Sequence, residues 1–133
     1  MKQELVFTRE PIDEIAWRST DNPEREIGAV LTFLGMVRGT ENEAPIRGID
    51  YEAFEAMARH QFELIFAQIA QKWPLDGVKV VHRLGPVPAG EPSLWVEVMA
   101  GHRQEAFAAA LYLVDEMKRV VPIWKRALPA RAL

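Results

Sequence analysis

Between Phe54 and Trp73 apolar side chains recur at helical spacing: Phe54, Met57, Ala58, Phe62, Ile65, Phe66, Ile69 and Trp73. A helix with such a stripe is stable in water only when the stripe is buried, so this segment demands a partner layer. Pro74 stops it, because proline offers no N–H and its ring clashes with the preceding turn. Asp76-Gly77 then reads as a turn. A second stripe, Phe107, Ala110, Leu111, Val114 and Met117, marks a helix opened by Gly101, His102 and Arg103 and running to about Val121. Pro11 suits the first turn of a short helix, Ile12–Trp17.

The partner layer is supplied by strands. Glu4–Thr8 and Ile46–Glu52 are short strands, and Ile27–Val37 is an apolar run most simply read as a buried strand. Gly28 and Gly35 inside it mark a bulge or a close backbone approach. Val78–Leu84 sets Val78, Val80 and His82 on one face, and Ser93–Ala100 alternates Leu94, Val96 and Val98 with Trp95, Glu97 and Met99. Ser19–Arg25 and Gly39–Pro45 read as polar loops. Gly85–Pro92, with three prolines, reads as a stiff irregular one. The order is strand, helix, strands, helix, strands, helix and a basic tail. It predicts an α+β fold, a mixed sheet with two long helices and one short helix, in a single domain over residues 1–133.

Composition excludes several functions. There is no cysteine, hence no disulfide, thiolate zinc site or cysteine nucleophile; any sulfur chemistry must draw its sulfur from elsewhere. The three histidines, His60, His82 and His102, sit on different elements, so no metal site is expected; no cofactor is expected either. No glycine-rich phosphate loop is present. A net charge of −3 argues against nucleic acid. The start, MKQELVFTRE, lacks a signal-peptide core and no run reaches membrane-spanning length, so the expected location is cytoplasmic, with no membrane contact.

The acidic chain nevertheless ends basic. After Glu116 there is no acid, while Lys118, Arg119, Lys125, Arg126 and Arg131 are cationic, which suggests a local anion site. In Met117–Arg126, MKRVVPIWKR, Pro122 denies the Lys118 carbonyl its helical donor. Lys118 therefore belongs to a last helical turn and Lys125 to the chain beyond it. Two amines on different elements, beside Trp124, can converge on one small anion. The plainer alternative is a solvated helix end, where the dipole favours lysine by about 0.3–1 kcal/mol. Arg38, at the mouth of the apolar run, either holds an anion or pairs with Glu41 or Glu43. His102 and Arg103 stand at a helix start, where free N–H groups attract anions. Lys118, however, is sixteen residues beyond His102 on the same helix, a separation of about 24 Å. One small ligand cannot touch both ends, so a shared site requires a two-fold dimer that brings one copy's helix start to the other's helix end.

Five segments in this order, FLGMVRGTEN (33–42), WPL (73–75), HRLG (82–85), GHRQEAF (101–107) and MKRVVPIWK (117–125), resemble the large, catalytic subunit of molybdopterin synthase, the MoaE family, over about Leu5 to Arg126. The resemblance implies an α/β-hammerhead fold. It implies conversion of cyclic pyranopterin monophosphate to molybdopterin by installing a dithiolene. The sulfur would come from a thiocarboxylate on the C-terminal Gly-Gly tail of a small ubiquitin-like partner of the MoaD type. It also implies a central homodimer of large subunits with a small subunit at each end. By motif, the substrate-contacting positions are Met36, Val37, Arg38, His102, Arg103, Lys118, Lys125, Arg126 and Ala127, with Lys118 and Lys125 catalytic. Adjacent ammonium groups repel, which makes one of the two lysines the natural proton acceptor; which one is left open. Ala127 stands where the family usually has a glutamate, and the chain stops at Leu133, short of the family's longer tail. The alternative reading is a non-catalytic relative that binds a pterin phosphate or a ubiquitin-like partner.

Overall fold

Pro74 and Pro122 end the two long helices, and the strands that start directly after them join two different sheets. The computed structural model describes residues 1–19 and 26–130; the loop expected over Ser19–Arg25, Ser19 apart, and Arg131 lie outside the described residues. The elements are β1 (Lys2–Thr8), α1 (Glu14–Trp17), β2 (Ala29–Met36), β3 (Thr40–Glu41), β4 (Ala44–Ala53), α2 (Glu55–Lys72), β5 (Leu75–Arg83), β6 (Gly85–Pro88), β7 (Pro92–Ala100), α3 (Arg103–Val120) and β8 (Ile123–Pro129). This is the expected mixed α+β arrangement with two long helices and one short one.

The first sheet has the order β1-β5-β7-β2. β1 runs parallel to β5, and the other pairings are antiparallel. Both long helices cover one face. Phe62, Ile65, Phe66 and Ile69 of α2 and Ala106, Ala109, Ala110 and Leu113 of α3 pack on Val78 and Val80 of β5 and Leu94, Val96 and Val98 of β7. On the reverse face Val81 and Trp95 meet Ile12, so β7 is covered on both sides. The second sheet is built around β4, which pairs with β3, β6 and β8 and carries its own small core of Val37, Ile49 and Val87. No helix among the described residues is long and apolar enough to cross a membrane.

Several local expectations are corrected. The short helix begins at Glu14, not Ile12. Its cap is Asp13, whose carboxylate accepts from the Ile15 and Ala16 N–H groups, while Ile12 is buried. The apolar run 27–37 forms β2, an edge strand, so Val30, Phe33 and Met36 are exposed rather than buried. Its glycines behave as read: a Cβ on Gly28 would overlap the Gly101 carbonyl oxygen, and the β2–β7 register shifts just after Gly35. Residues 39–45 form a hairpin whose Asn42 and Glu43 both take positive φ, the left-handed pair that a tight two-residue turn requires. Asp76-Gly77 lies within β5 at a register shift.

Part of the proline-rich loop is a strand, β6. Its Pro86 and Pro88 face Asp50 and Gly48 of β4, and as an outer strand it tolerates their missing N–H groups. The basic tail is β8, paired along β4. The helical stripes are real but shifted. Phe54 and Met57 of the first are exposed, and in α3 the alanines face inward while Phe107 (61%) and Leu111 (65%) face outward.

Candidate active site

The last turn of α3 carries Lys118 one side chain along from Val114, Met117 and Val121. These residues recur at helical spacing and line one wall of a cavity of about 770 Å³. The Val121 N–H donates to the Met117 carbonyl (3.0 Å) and closes the helix. At Pro122 the chain turns, and the Pro122 carbonyl accepts from the Phe54 N–H (3.3 Å). That bond ties the start of β8 to the start of α2. Trp124 then packs edge to face on Phe54, with ring centroids 4.7 Å apart. These contacts fix the angle at which β8 leaves the helix and bring Lys125 to the same cavity as Lys118.

Along β8 successive side chains point to opposite faces. Lys125 lies opposite Tyr51 of β4, and both line the cavity. Arg126 points the other way and forms an ion pair with Asp50, directly across the ladder (Nη2 to Oδ2, 3.2 Å). The same alternation orders the end of β2. Val37 is buried in the second sheet's core, donating its N–H to the Glu91 carbonyl (3.0 Å) and accepting from the Gly90 N–H (2.8 Å). Its neighbours Met36 and Arg38 therefore face the cavity.

The structure thus brings together Met36, Arg38, Lys118 and Lys125 out of the nine positions singled out by motif. Val37 is anchored beside them but turned inward, and Arg126 and Ala127 lie outside the cavity lining. His102 and Arg103 are at the opposite end of α3. His102 is its N-cap residue, its side chain 84% exposed and 3.6 Å from the Glu105 carboxylate. Within one copy these two do not meet the lysines, as helix length demands.

Four further lining residues are outside the positions singled out by motif as substrate-contacting: Glu41, Tyr51, His82 and Ser93. The sequence offers Glu41 as a partner for Arg38. The hairpin turn instead presents it to Lys125, at 3.7 Å. Both side chains are partly exposed, so this pair is worth at most about 1 kcal/mol and yields readily to a better anion. His82 is buried with Nδ1 2.8 Å from the Arg83 carbonyl oxygen. Burial holds its pKa below the ordinary histidine value, against the smaller upward pull of that hydrogen bond. Two of these residues sit on β4 or in the hairpin leading into it, and their position depends on the two sheets meeting, which no local pattern encodes.

Chemically, the cavity offers three cations, Arg38, Lys118 and Lys125, one carboxylate, Glu41, an apolar wall and a few neutral polar groups. That combination suits a small anionic molecule with a flat, partly apolar body.

The MoaE protein family model matches residues 7–120. A molybdopterin synthase catalytic subunit from Staphylococcus carnosus is 37% identical over 129 residues, which is 96% of this chain and 84% of that one. Among solved structures, molybdopterin synthase from Staphylococcus aureus superposes with a TM-score of 0.86 at 30% identity, covering 96% of this chain and 92% of that one. A complex of subunits 1 and 2 of the molybdopterin-converting factor from Helicobacter pylori shares the fold, with a TM-score of 0.71 at 22% identity over 96% of this chain and 90% of that one. The chain belongs to the MoaE family.

Proposed function

We propose that residues 1–133 act as one MoaE-like unit, the catalytic subunit of a molybdopterin synthase. It transfers sulfur from the thiocarboxylated Gly-Gly tail of a small MoaD-like subunit to cyclic pyranopterin monophosphate and so forms the dithiolene of molybdopterin. The observation that carries this reading is the convergence of Arg38, Lys118 and Lys125 on one cavity in a chain that has no cysteine. Both reactants are anions. Two unit charges 4 Å apart repel by about 4 kcal/mol near a protein surface, so a thiocarboxylate can approach a phosphate-bearing pterin only where cations offset that repulsion. The lysines also serve as proton donor and acceptor when the cyclic phosphate opens. The loose Lys125–Glu41 contact leaves that amine free to exchange its partner for the incoming carbonyl or phosphate oxygen.

The site is completed in a homodimer. His102 and Arg103 are exposed and too far from their own Lys118, so the pair that adds to each cavity belongs to the second copy. Val30 and Phe33 on β2 and Phe107 and Leu111 on α3 are exposed apolar side chains of the kind that assembly covers. Partnership with a small subunit is supported by the two-subunit assembly of the Helicobacter pylori neighbour.

The test is reconstitution with a thiocarboxylated small subunit and the pterin precursor. Lys118→Ala and Lys125→Ala are each expected to lower dithiolene formation by about 10²–10³, as loss of a charge-stabilising donor does, with unchanged circular dichroism. Undiminished product yield in both variants would refute the roles. Precursor binding without sulfur transfer by the wild-type chain would favour the non-catalytic alternative.

A further inference from the structure

The cations of the cavity are donors only: neither guanidinium nor ammonium can accept a hydrogen bond. A pterin presents ring N–H groups as well as a phosphate, so a pocket that orients it needs acceptors too, and the Glu41 carboxylate in the lining already pairs with Lys125 at 3.7 Å. His82 lines the cavity, and sulfur transfer by the cationic groups assigns it no role. Its Nδ1 lies 2.8 Å from the Arg83 carbonyl oxygen. A carbonyl only accepts, so Nδ1 carries the hydrogen, and in the neutral ring Nε2 is then a free lone pair. Burial, leaving 4% of the residue exposed, favours that neutral ring. Tyr51 fixes the ring plane by edge-to-face packing, with centroids 5.2 Å apart at 74°. Because Tyr51 stands opposite Lys125 in the ladder, His82 is one side chain away from the cationic groups. Among the described residues Nε2 makes no hydrogen bond.

We propose that Nε2 of His82 accepts a hydrogen bond from a ring N–H of the bound pterin and so sets which way the ring lies relative to the phosphate held by the cations. This rests on the pocket being a pterin phosphate site. A purely structural histidine would use Nδ1 alone, and the two roles separate by substitution. In His82→Asn the amide N–H can take the place of Nδ1 and keep the Arg83 bond, but nothing replaces Nε2. In His82→Gln the longer side chain returns an amide oxygen toward the Nε2 position.

The experiment is calorimetric titration of the full chain with cyclic pyranopterin monophosphate, and separately with inorganic phosphate. His82→Asn is expected to weaken pterin phosphate binding roughly tenfold, the scale of one lost hydrogen bond, and to leave inorganic phosphate binding unchanged; His82→Gln should regain much of the loss. A second measurement needs no variant: in wild-type chain with ¹⁵N-labelled histidine, the Nε2 resonance of the Nδ1–H ring should move on adding the pterin phosphate and stay put with inorganic phosphate. Wild-type affinity in a folded His82→Asn variant, or an unmoved Nε2 resonance in pterin-saturated protein, would overturn the proposal. A wild-type chain that binds no pterin phosphate overturns instead the pocket assignment beneath it.

Discussion

A heterodimer of one His102→Ala/Arg103→Ala copy and one Lys118→Ala copy should recover activity that neither parent homodimer has. The two substituted groups lie at opposite ends of α3. His102 caps its start and Lys118 sits in its last turn, about 24 Å away at 1.5 Å per residue, farther than a pterin phosphate reaches. If each site joins one copy's lysines to the other copy's helix start, the heterodimer holds one site with both sets intact and one with both missing. Affinity-purified heterodimer, made by placing different tags on the two copies, should therefore show about 50% of wild-type turnover, since one of two equivalent sites is whole. Each parent homodimer has a defect in both sites and should fall by about 10²–10³. The assay is molybdopterin formed per dimer with saturating thiocarboxylated small subunit. A heterodimer as inactive as its parents would refute the composite site, and so would a fully active His102→Ala/Arg103→Ala homodimer.

Other consequences concern packing and pH. Phe62 is fully buried between α2 and the sheet, with Phe7 and Phe66 against it. Phe62→Ala should cost about 3–5 kcal/mol and lower the melting temperature by roughly 10–20 °C; a shift of a degree or two would mean that the core lies elsewhere. Gly28→Ala drives a methyl into the Gly101 carbonyl just before α3, so a loss of about 1–3 kcal/mol is expected in urea unfolding, whereas Gly39→Ala, with open space around it, should change little. His82 is harder to protonate in the folded chain than in the unfolded one. Its contribution to stability is complete above its ordinary pKa of 6.5. Below that pH the unfolded chain takes up the proton first and stability falls, by at most about 1.4 kcal/mol per pH unit from this group, until the folded ring protonates too. Unfolding measured from pH 7.5 down to 5 should show that slope in the wild type and lack it in His82→Asn; equal slopes would contradict the assignment.

The helices were legible because Pro74 and Pro122 punctuate them, and the strands because alternation and β-branched runs are local. What failed was inference from size. In α3 the large Phe107 and Leu111 invited burial, yet the buried side is lined by Ala106, Ala109 and Ala110, whose small side chains admit close approach of α2 and the sheet. In β2 an apolar run suggested an interior strand, but strand order decides burial, and among the described residues β2 has a neighbour on one side only. Prolines 86 and 88 argued against a strand, and position at a sheet margin made one tolerable. At the site, Arg38, Lys118 and Lys125 could be read from motif and chain direction. The meeting of His82 with Tyr51 could not, because it brings β5 of one sheet against β4 of the other across a long sequence separation.

On the proposed function, this pocket builds a dithiolene with sulfur brought by a partner's tail. Mass spectrometry of the pterin after incubation with precursor and thiocarboxylated small subunit tests it most directly. The expected product has gained two sulfur atoms and an opened cyclic phosphate, with two thiocarboxylated tails converted to carboxylates for each pterin. A pterin of unchanged mass beside an intact thiocarboxylate would contradict it.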